Sequence, residues 1–270
     1  MKKEQEKQDE IESSNAPLIE HLSELRSRLV VSVLAFLVCM VCVFPFSKYI
    51  FNFLALPITD LLAIKNEANE LIFTGLQQGF MVNVKISFFG GFVVSFPFIG
   101  FQIWRFIAPG LYKKEKLAFL PFLIASPVLF IIGAAFAYFV VLPLAFNFFL
   151  SFQNTSNLNN LVGIKYLGTI NEYLSLTMRF ILAFGICFQL PVLLTLMGKA
   201  GLISSESLVI FRKYAIVSIL IVAAIVTPPD VITQIILFSV VYSLYEMSIL
   251  LVRLVEKKKE EALKRMDENL

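Results

Sequence analysis

Long apolar runs alternate with short charged segments along the chain. The runs lie near residues 29–47, 79–101, 118–140, 172–197, 214–229 and 231–252. A helix needs about 20 apolar residues to cross the hydrocarbon core of a bilayer. The fifth run holds only 16 uncharged residues between Lys213 and Asp230, about 24 Å at 1.5 Å per residue, against a core of about 30 Å. The pattern predicts an all-α integral membrane protein with six transmembrane helices, the last two of them short.

Prolines and a glycine pair interrupt these runs. Prolines stand at positions 97, 121, 127, 143 and 191, and each removes a backbone donor and bends or ends a helix. Gly90-Gly91 allows a neighbouring helix to approach closely. Between the last two runs, the sequence TPPDV holds two prolines, which prevent helix continuation and predict a tight hairpin. The bundle is therefore expected to be kinked.

The connection after the first run has apolar residues at helical spacing. Leu54, Leu61 and Leu62 predict one face of a short interfacial helix that begins after Pro57. Six crossings place this connection on the side opposite to both termini. The next connection on that side contains the polar run SFQNTSNLNN.

Lys and Arg are distributed unevenly between the two sides. With six crossings, 18 of the 23 Lys and Arg residues fall on the side of the termini. Because basic residues collect in cytoplasmic loops, both termini are predicted to be cytoplasmic. Residues 1–16 are polar and lack the apolar core of a signal peptide, so we expect a disordered cytoplasmic tail there. A membrane domain over 17–252 and a charged cytoplasmic tail over 253–270 complete the predicted organisation.

Composition supports a membrane protein, and the residue types present argue against several kinds of catalytic site. Hydrophobic residues make up 58% and charged residues 16% of the chain, against roughly 45–50% and 25% in soluble domains. His21 is the sole histidine, so metalloprotease and Ser-His catalytic motifs are missing. Cys39 and Cys42 lie within an apolar run, where thiols act as small apolar side chains. We therefore expect no enzyme activity, no cofactor, no metal site and no nucleic-acid partner.

Three polar side chains lie within apolar runs. Arg179 and Glu246 are close to the ends of their runs, where a long side chain can reach the interface by snorkelling. Gln189 is near the middle of its run, two residues before Pro191. Two interpretations of Gln189 stay open. It forms an interhelical hydrogen bond to backbone freed by the proline, which we favour, or it belongs to an ion pathway.

The segment PLIEHLSELRSRL, residues 17–29, predicts an amphipathic helix that continues into the first span. Its apolar stripe consists of Leu18, Leu22, Leu25 and Leu29, which recur at helical spacing. Glu24 and Arg28 are four residues apart. By themselves they indicate only a surface ion pair that contributes a few tenths of a kcal/mol.

Short motifs stand in a fixed order from residue 17 to about 252. They are HLSELRSRL at 21–29, LP at 56–57, FP at 96–97, QIWRFIAPGLYKKE at 102–115, AFAYFVVLPLAFNF at 135–148, YLSLTM at 173–178, AFGICFQLP at 183–191, TPPDVITQ at 227–234 and LYE at 244–246. One such motif is a weak signal, but their order and spacing make a specific combination. Together they closely resemble the TatC subunit of the twin-arginine (Sec-independent) protein translocase.

This resemblance implies a six-span, cup-shaped bundle that recognises the twin-arginine signal of folded precursor proteins at its cytoplasmic face. The family's signal-docking positions correspond to Glu24, Arg26, Phe106 and Glu115. Further positions marked by the resemblance are Pro57, Tyr138 and Asp230. Two adjacent guanidinium groups favour carboxylates as planar, charge-assisted partners, which Glu24 and Glu115 can supply.

The resemblance further implies a receptor and core scaffold in the bacterial cytoplasmic (inner) membrane. Such a subunit recruits single-span partners of the TatA and TatB type, associates with further copies, and works in export driven by the proton-motive force. The family commonly has Glu where this chain has Gln189, a polar position for partner contact; an amide keeps hydrogen bonding but cannot titrate. The alternative function, a secondary transporter of a small solute, is disfavoured by sparse midplane charge and by the lack of an internal repeat.

Overall fold

The computed structural model describes residues 2–64, 71–107, 120–153 and 168–267, and within these ranges the chain is almost entirely helical. The helices are α1 (Lys2–Val43), α2 (Ser47–Ile64), α3 (Gln78–Ile107), α4 (Leu120–Phe136), α5 (Leu142–Leu150), α6 (Ile170–Cys187), α7 (Leu190–Lys199), α8 (Ser205–Ile210), α9 (Arg212–Val226) and α10 (Val231–Asp267). A 3₁₀ turn, Phe44–Phe46, joins α1 to α2, and a π-helical segment, Ala137–Val141, joins α4 to α5. No β-strand forms among the described residues.

Among the described residues, five stretches are long and apolar enough to cross a membrane. They are Leu22–Ile64, Gln78–Ile103, Pro121–Leu150, Ile170–Lys199 and Val231–Glu261. The remaining candidate is α9, whose 15 residues extend about 22 Å at 1.5 Å per residue. The predicted all-α membrane fold is confirmed. The number of crossings, the cup shape and the side of each terminus stay predictions.

The helix that follows the first span differs from its prediction. It was expected to begin after Pro57, but α2 begins at Ser47 and contains Pro57. Leu54 and Leu62 are 1% and 3% exposed, so this face of α2 packs against protein. A proline is tolerated inside the helix because another part of the chain binds the carbonyl that it leaves without a donor, as described below.

The first and last helices are longer than the apolar runs that predicted them. Helix α1 begins at Lys2 and continues without interruption to Val43, and α10 continues to Asp267. The fifth predicted span is short, as expected, whereas the last one belongs to a long helix. Neither helix breaks at the predicted domain boundaries, and the division into tails and membrane domain stays a prediction.

The glycine pair in α3 lets α1 approach its backbone. A Cβ at Gly91 would lie 2.7 Å from the Cα of Met40, and one at Gly90 would lie 2.8 Å from Cγ1 of Val43. Carbon atoms in contact stay about 3.5–4.0 Å apart, so a side chain at Gly91 cannot fit without moving α1. The close approach predicted from this pair is confirmed.

Aromatic side chains fill the contact between α3, α4 and α6. Phe130 of α4 is 1% exposed, and Phe180 and Phe184 of α6 are equally buried. The ring of Phe96 on α3 stacks on Phe130 with 3.9 Å between centroids. Helices within a membrane associate through such packing, because lipid tails remove most of the hydrophobic driving force. These contacts hold α3, which carries Gln102, near α4 and α6.

Candidate functional site

Arg28 joins α1 to the last part of α3. Its Nε donates a hydrogen bond to Oε1 of Glu24 at 3.0 Å, and one terminal nitrogen donates to the same oxygen. The other terminal nitrogen donates to Oε1 of Gln102 at 3.3 Å. The ion pair expected from the spacing of Glu24 and Arg28 therefore forms. Gln102 is 74 positions along the chain from Arg28, so the hydrogen bond between them joins two helices. We call Glu24, Arg28 and Gln102 the Arg28 cluster.

Glu24 is the accessible acid of the Arg28 cluster. Its side chain is 35% exposed, against 17% for Arg28. Both Arg28 donors bind Oε1 of Glu24, and no donor among the described residues binds Oε2. The carboxylate is therefore held in one orientation by Arg28 and keeps one oxygen for a further hydrogen bond.

The other predicted docking residues are Phe106, Arg26 and Glu115, and they differ in where they lie with respect to the Arg28 cluster. Phe106 is partly buried in the last turn of α3, four positions after Gln102, so both lie on one helical face. Arg26 is exposed on α1 and points to another side of that helix, because it is two positions from Glu24. Glu115 lies outside the described residues. The structure brings Glu24 to the end of α3 that carries Phe106, and it does not bring Arg26 into the cluster.

Gln189 joins the break between α6 and α7 to α4. Its Oε1 accepts a hydrogen bond from Oγ of Ser126 at 2.7 Å, and its Nε2 donates to the backbone oxygen of Ser126 at 2.9 Å. The favoured interhelical hydrogen bond is confirmed, but the predicted acceptor, a carbonyl freed by Pro191, is wrong. Ser126 is 2% exposed, so the pair satisfies a buried polar group. A contact between Gln189 and a partner subunit stays a prediction.

Pro57 and Tyr138 form one structural unit. In a helix, residue 57 would donate to the carbonyl of residue 53, and proline has no N–H to do so. The hydroxyl of Tyr138, in the π-helical segment, donates to this carbonyl of Phe53 at 2.6 Å. The Tyr138 ring also stacks on the Phe53 ring with 4.5 Å between centroids. From α6, Tyr173 donates to the next carbonyl, that of Leu54, at 2.5 Å, so two tyrosines donate to consecutive carbonyls of α2.

Asp230 begins α10. Its Oδ1 accepts a hydrogen bond from the backbone N of Thr233 at 2.8 Å, and its Oδ2 accepts from Oγ1 of Thr233 at 2.5 Å. A carboxylate that accepts from the third residue of a helix is an N-cap, which satisfies a donor that the helix leaves free. In the TPPDV turn, the prolines end α9 and Asp230 starts α10.

Glu246 is paired with side chains of α9 and α10. Its Oε2 accepts from a terminal nitrogen of Arg212 on α9 at 2.6 Å, and its Oε1 accepts from the hydroxyl of Tyr242 at 2.8 Å. The snorkelling interpretation of Glu246 stays a prediction, and both of its oxygens also have protein partners. The four-residue spacing from Tyr242 was a signal in the sequence for one of these bonds. Nothing in the sequence pattern indicated Arg212.

In the part of the chain that the structure describes, no three His, Cys, Asp or Glu side chains come together in a way that could hold a metal ion. The polar contacts instead join helices in pairs. The Arg28 cluster joins α1 to α3, Gln189 joins the α6–α7 break to α4, and Glu246 joins α10 to α9. Of these, the Arg28 cluster lies near the end of α3 and holds a partly exposed carboxylate, and the Arg28 donors bind only one of its two oxygens.

Residues 20–239 match the family profile described as Sec-independent protein translocase protein (TatC). The chain belongs to the TatC family. The match includes the helices that carry the Arg28 cluster, Tyr138 and Gln189, and it confirms the resemblance seen in the motifs.

TatC proteins of several bacteria are similar to the chain over most of its length. The TatC of Magnetococcus marinus is 46% identical over 91% of this chain and 87% of its own. The TatC of Aquifex aeolicus is 43% identical over 91% of this chain and 98% of its own. A crystal structure described as the twin arginine translocase receptor TatC is 42% identical, covers 87% of this chain and 99% of its own, and superposes with a TM-score of 0.76.

Membership of the TatC family makes the chain a membrane-embedded component of a Sec-independent protein translocase. The apolar helices agree with that placement. TatC is a transport subunit of that translocase.

Proposed function

We propose that this TatC-family protein is the receptor and core scaffold of a twin-arginine translocase, and that it binds the twin-arginine signal peptides of folded precursor proteins. The observation that carries the proposal is the partly exposed carboxylate of Glu24, held by Arg28 where α1 meets α3. Because Arg28 uses Oε1, the open Oε2 is the acceptor for one guanidinium group of the signal.

A second carboxylate is needed for the second arginine of the signal. Glu115 follows α3 in the sequence and is the proposed partner. Guanidinium is planar and presents several N–H groups in a fixed geometry, whereas the ammonium of lysine is a compact point charge. Two carboxylates that each accept hydrogen bonds from a guanidinium group therefore select two arginines over two lysines. Phe106, beside Gln102 on α3, supports docking of the apolar part of the signal.

The wider assembly belongs to the same proposal. Single-span TatA- and TatB-type subunits contact the polar helix faces near Gln189, and further copies of this chain complete a transient pathway. Both termini face the cytoplasm, the complex lies in the bacterial inner membrane, and the proton-motive force drives export. Gln189 contributes hydrogen bonds and takes up no proton, since it is an amide. The sequence offers no internal repeat to favour the secondary-transporter alternative.

Binding of a twin-arginine signal-peptide fusion to the purified protein tests the receptor role. The comparison set contains a twin-lysine peptide and the variants Glu24→Gln and Glu115→Gln. Hydrogen bonds to charged groups contribute about 1.5–3 kcal/mol, so each variant is expected to weaken binding of the twin-arginine peptide by roughly 10- to 100-fold. Glu206→Gln is the matched control, because Glu206 is an exposed acid in the predicted cytoplasmic segment before α9.

Equal binding of the twin-arginine and twin-lysine peptides would contradict the proposal. Wild-type affinity in both the Glu24→Gln and Glu115→Gln variants would contradict the assignment of the two carboxylates. Loss of binding in the Glu206→Gln control would attribute the effect to general surface charge.

A further inference from the structure

Lys85 is a cation within the apolar length of α3. It lies seven residues after Gln78, the first residue of α3, about 10 Å along the helix at 1.5 Å per residue. The stretch Gln78–Ile103 is long and apolar enough to cross a membrane. A charged side chain at membrane depth is costly unless it has polar partners or reaches the interface.

Two polar side chains of α6 meet Lys85. Its Nζ donates to Oδ1 of Asn171 at 2.6 Å and to Oγ of Ser175 at 3.4 Å. Asn171 and Ser175 are four residues apart and lie on one face of α6. Both are neutral, and no carboxylate pairs with Lys85 among the residues that the structure describes. These three residues, the Lys85 cluster, therefore carry an uncompensated positive charge.

Backbone hydrogen bonds hold the Lys85 cluster in place. The N–H of Ile72, before α3, donates to the carbonyl of Gly168 at 2.9 Å, and the N–H of Ile170 donates to the carbonyl of Ile72 at 3.2 Å. These bonds fix the first turn of α6 next to the segment that leads into α3. Asn171 is thereby positioned near Lys85 without using its own side chain for support.

The neighbouring acid lies on another side of α6. Glu172 follows Asn171 in sequence and lines a cavity with Ile58, Phe146 and Leu150 of α2 and α5. Successive residues of a helix point about 100° apart. Glu172 therefore lies on a different face of α6 from Asn171, and among the described residues the hydrogen-bond partners of Lys85 are Asn171 and Ser175.

We propose that the Lys85 cluster binds the phosphodiester group of a phospholipid at the membrane interface near the start of α3. The ammonium group of Lys85, the amide Nδ2 of Asn171 and the hydroxyl of Ser175 supply hydrogen-bond donors at one place. Phosphate oxygens accept such charge-assisted bonds. The Lys85 side chain is exposed, so the phosphate reaches it from the lipid side.

Apolar side chains beside Lys85 favour a lipid over a soluble anion. Met81 and Phe88, four positions before and three after Lys85, share its helical face and are 50% and 53% exposed. Acyl chains of the bound lipid pack along these side chains. Inorganic phosphate gains no contact from them. The distribution of Lys and Arg predicts that this interface belongs to the outer leaflet.

Native mass spectrometry of the full-length protein tests the site. The protein in detergent is incubated with phosphatidylglycerol, and retained lipid is counted for the wild type, Lys85→Gln, Asn171→Leu and Lys85→Arg. We expect Lys85→Gln to weaken retention by about tenfold, since it removes a charge-assisted bond, and Lys85→Arg to keep most of it. Lys48→Gln is the matched control, because Lys48 is also exposed and predicted to be on the outer side.

Further arms separate the sources of the anion. A galactolipid with the same acyl chains lacks phosphate, and we expect it to be retained no better by the wild type than by Lys85→Gln. Equal retention of phosphatidylglycerol by the wild type and Lys85→Gln, at equal thermal stability, would overturn the proposal. So would displacement of bound lipid by millimolar inorganic phosphate. If Lys85→Gln lost its co-purified single-span subunits but retained lipid like the wild type, the partner of Lys85 would be a carboxylate of another protein and not a lipid.

Discussion

The carbonyl of Phe53 has no helical donor because residue 57 is proline, and the hydroxyl of Tyr138 takes the place of that donor at 2.6 Å. An unpaired carbonyl inside a membrane protein costs several kcal/mol, so the proline and the tyrosine depend on each other. Pro57 and Tyr138, which the family resemblance marked separately, are thus linked through the carbonyl of Phe53. The bond joins α2 to the π-helical segment between α4 and α5.

Tyr138→Phe is expected to lower the free energy of unfolding by about 1–3 kcal/mol, because it leaves the Phe53 carbonyl unsatisfied while keeping the ring stack on Phe53. Thermal unfolding of the purified protein in detergent measures the change. Pro57→Ala supplies the internal control, since alanine returns an N–H to the carbonyl. The double variant is expected to lose less than the sum of the two single variants; strict additivity would show that the two residues do not interact.

At the scale of helices, small residues decide how closely two elements approach. Gly91 places the backbone of α3 against Met40 of α1, where a Cβ would come within 2.7 Å of a backbone atom. Such a contact cannot be relieved by turning a side chain. The α1–α3 pair therefore depends on glycine at this position, and the Arg28 cluster lies toward the other end of the same pair of helices.

Gly91→Ala is expected to destabilise the protein by about 1–3 kcal/mol through overpacking, and to weaken the α1–α3 contact. The same substitution at Gly100, on the same helix, is the control: its Cβ would meet only Oγ of Ser126 at 3.7 Å, an ordinary contact. Circular dichroism during heating compares the two variants. Equal melting temperatures would mean that α1 and α3 do not pack as closely as described.

Much of the helix pattern could be predicted from the sequence, because apolar runs and glycine pairs are local signals. The contacts that define the sites could not, because they join distant residues. Gln102 is 74 positions from Arg28, and Tyr138 is 85 positions from Phe53. Periodicity contains no information about such pairs. The start of α2 was misplaced for a related reason. Pro57 locally indicates a helix start, whereas in the continuous helix the distant Tyr138 donates to the carbonyl that the proline leaves without a donor.

At the scale of the whole molecule, α9 decides the topology. Six crossings place both termini on one side, and five would place them on opposite sides. The 15 residues of α9 are shorter than the roughly 20 that a span needs. Its pairing with α10 through Arg212 and Glu246 and the tight TPPDV turn favour a crossing that is supported by protein.

Cysteine accessibility in intact spheroplasts tests this topology. In a background without native cysteines, Leu76→Cys is expected to react with a membrane-impermeant maleimide, because Leu76 is exposed and predicted to be outside. Glu260 is exposed near the end of α10, and Glu260→Cys is expected to react only after permeabilisation. Labelling of both positions from outside would mean that α9 does not cross the membrane.

The ion pair between Glu24 and Arg28 also has a kinetic consequence. From more than about 8–10 Å, one screening length at physiological salt, the two opposite charges cancel, and the carboxylate exerts little pull on a basic peptide in solution. Association at this position therefore gains little from electrostatic steering, and its rate depends only weakly on ionic strength. Under the proposed function, this position does not concentrate lysine-rich segments, and selection of a signal depends on its fit at contact distance.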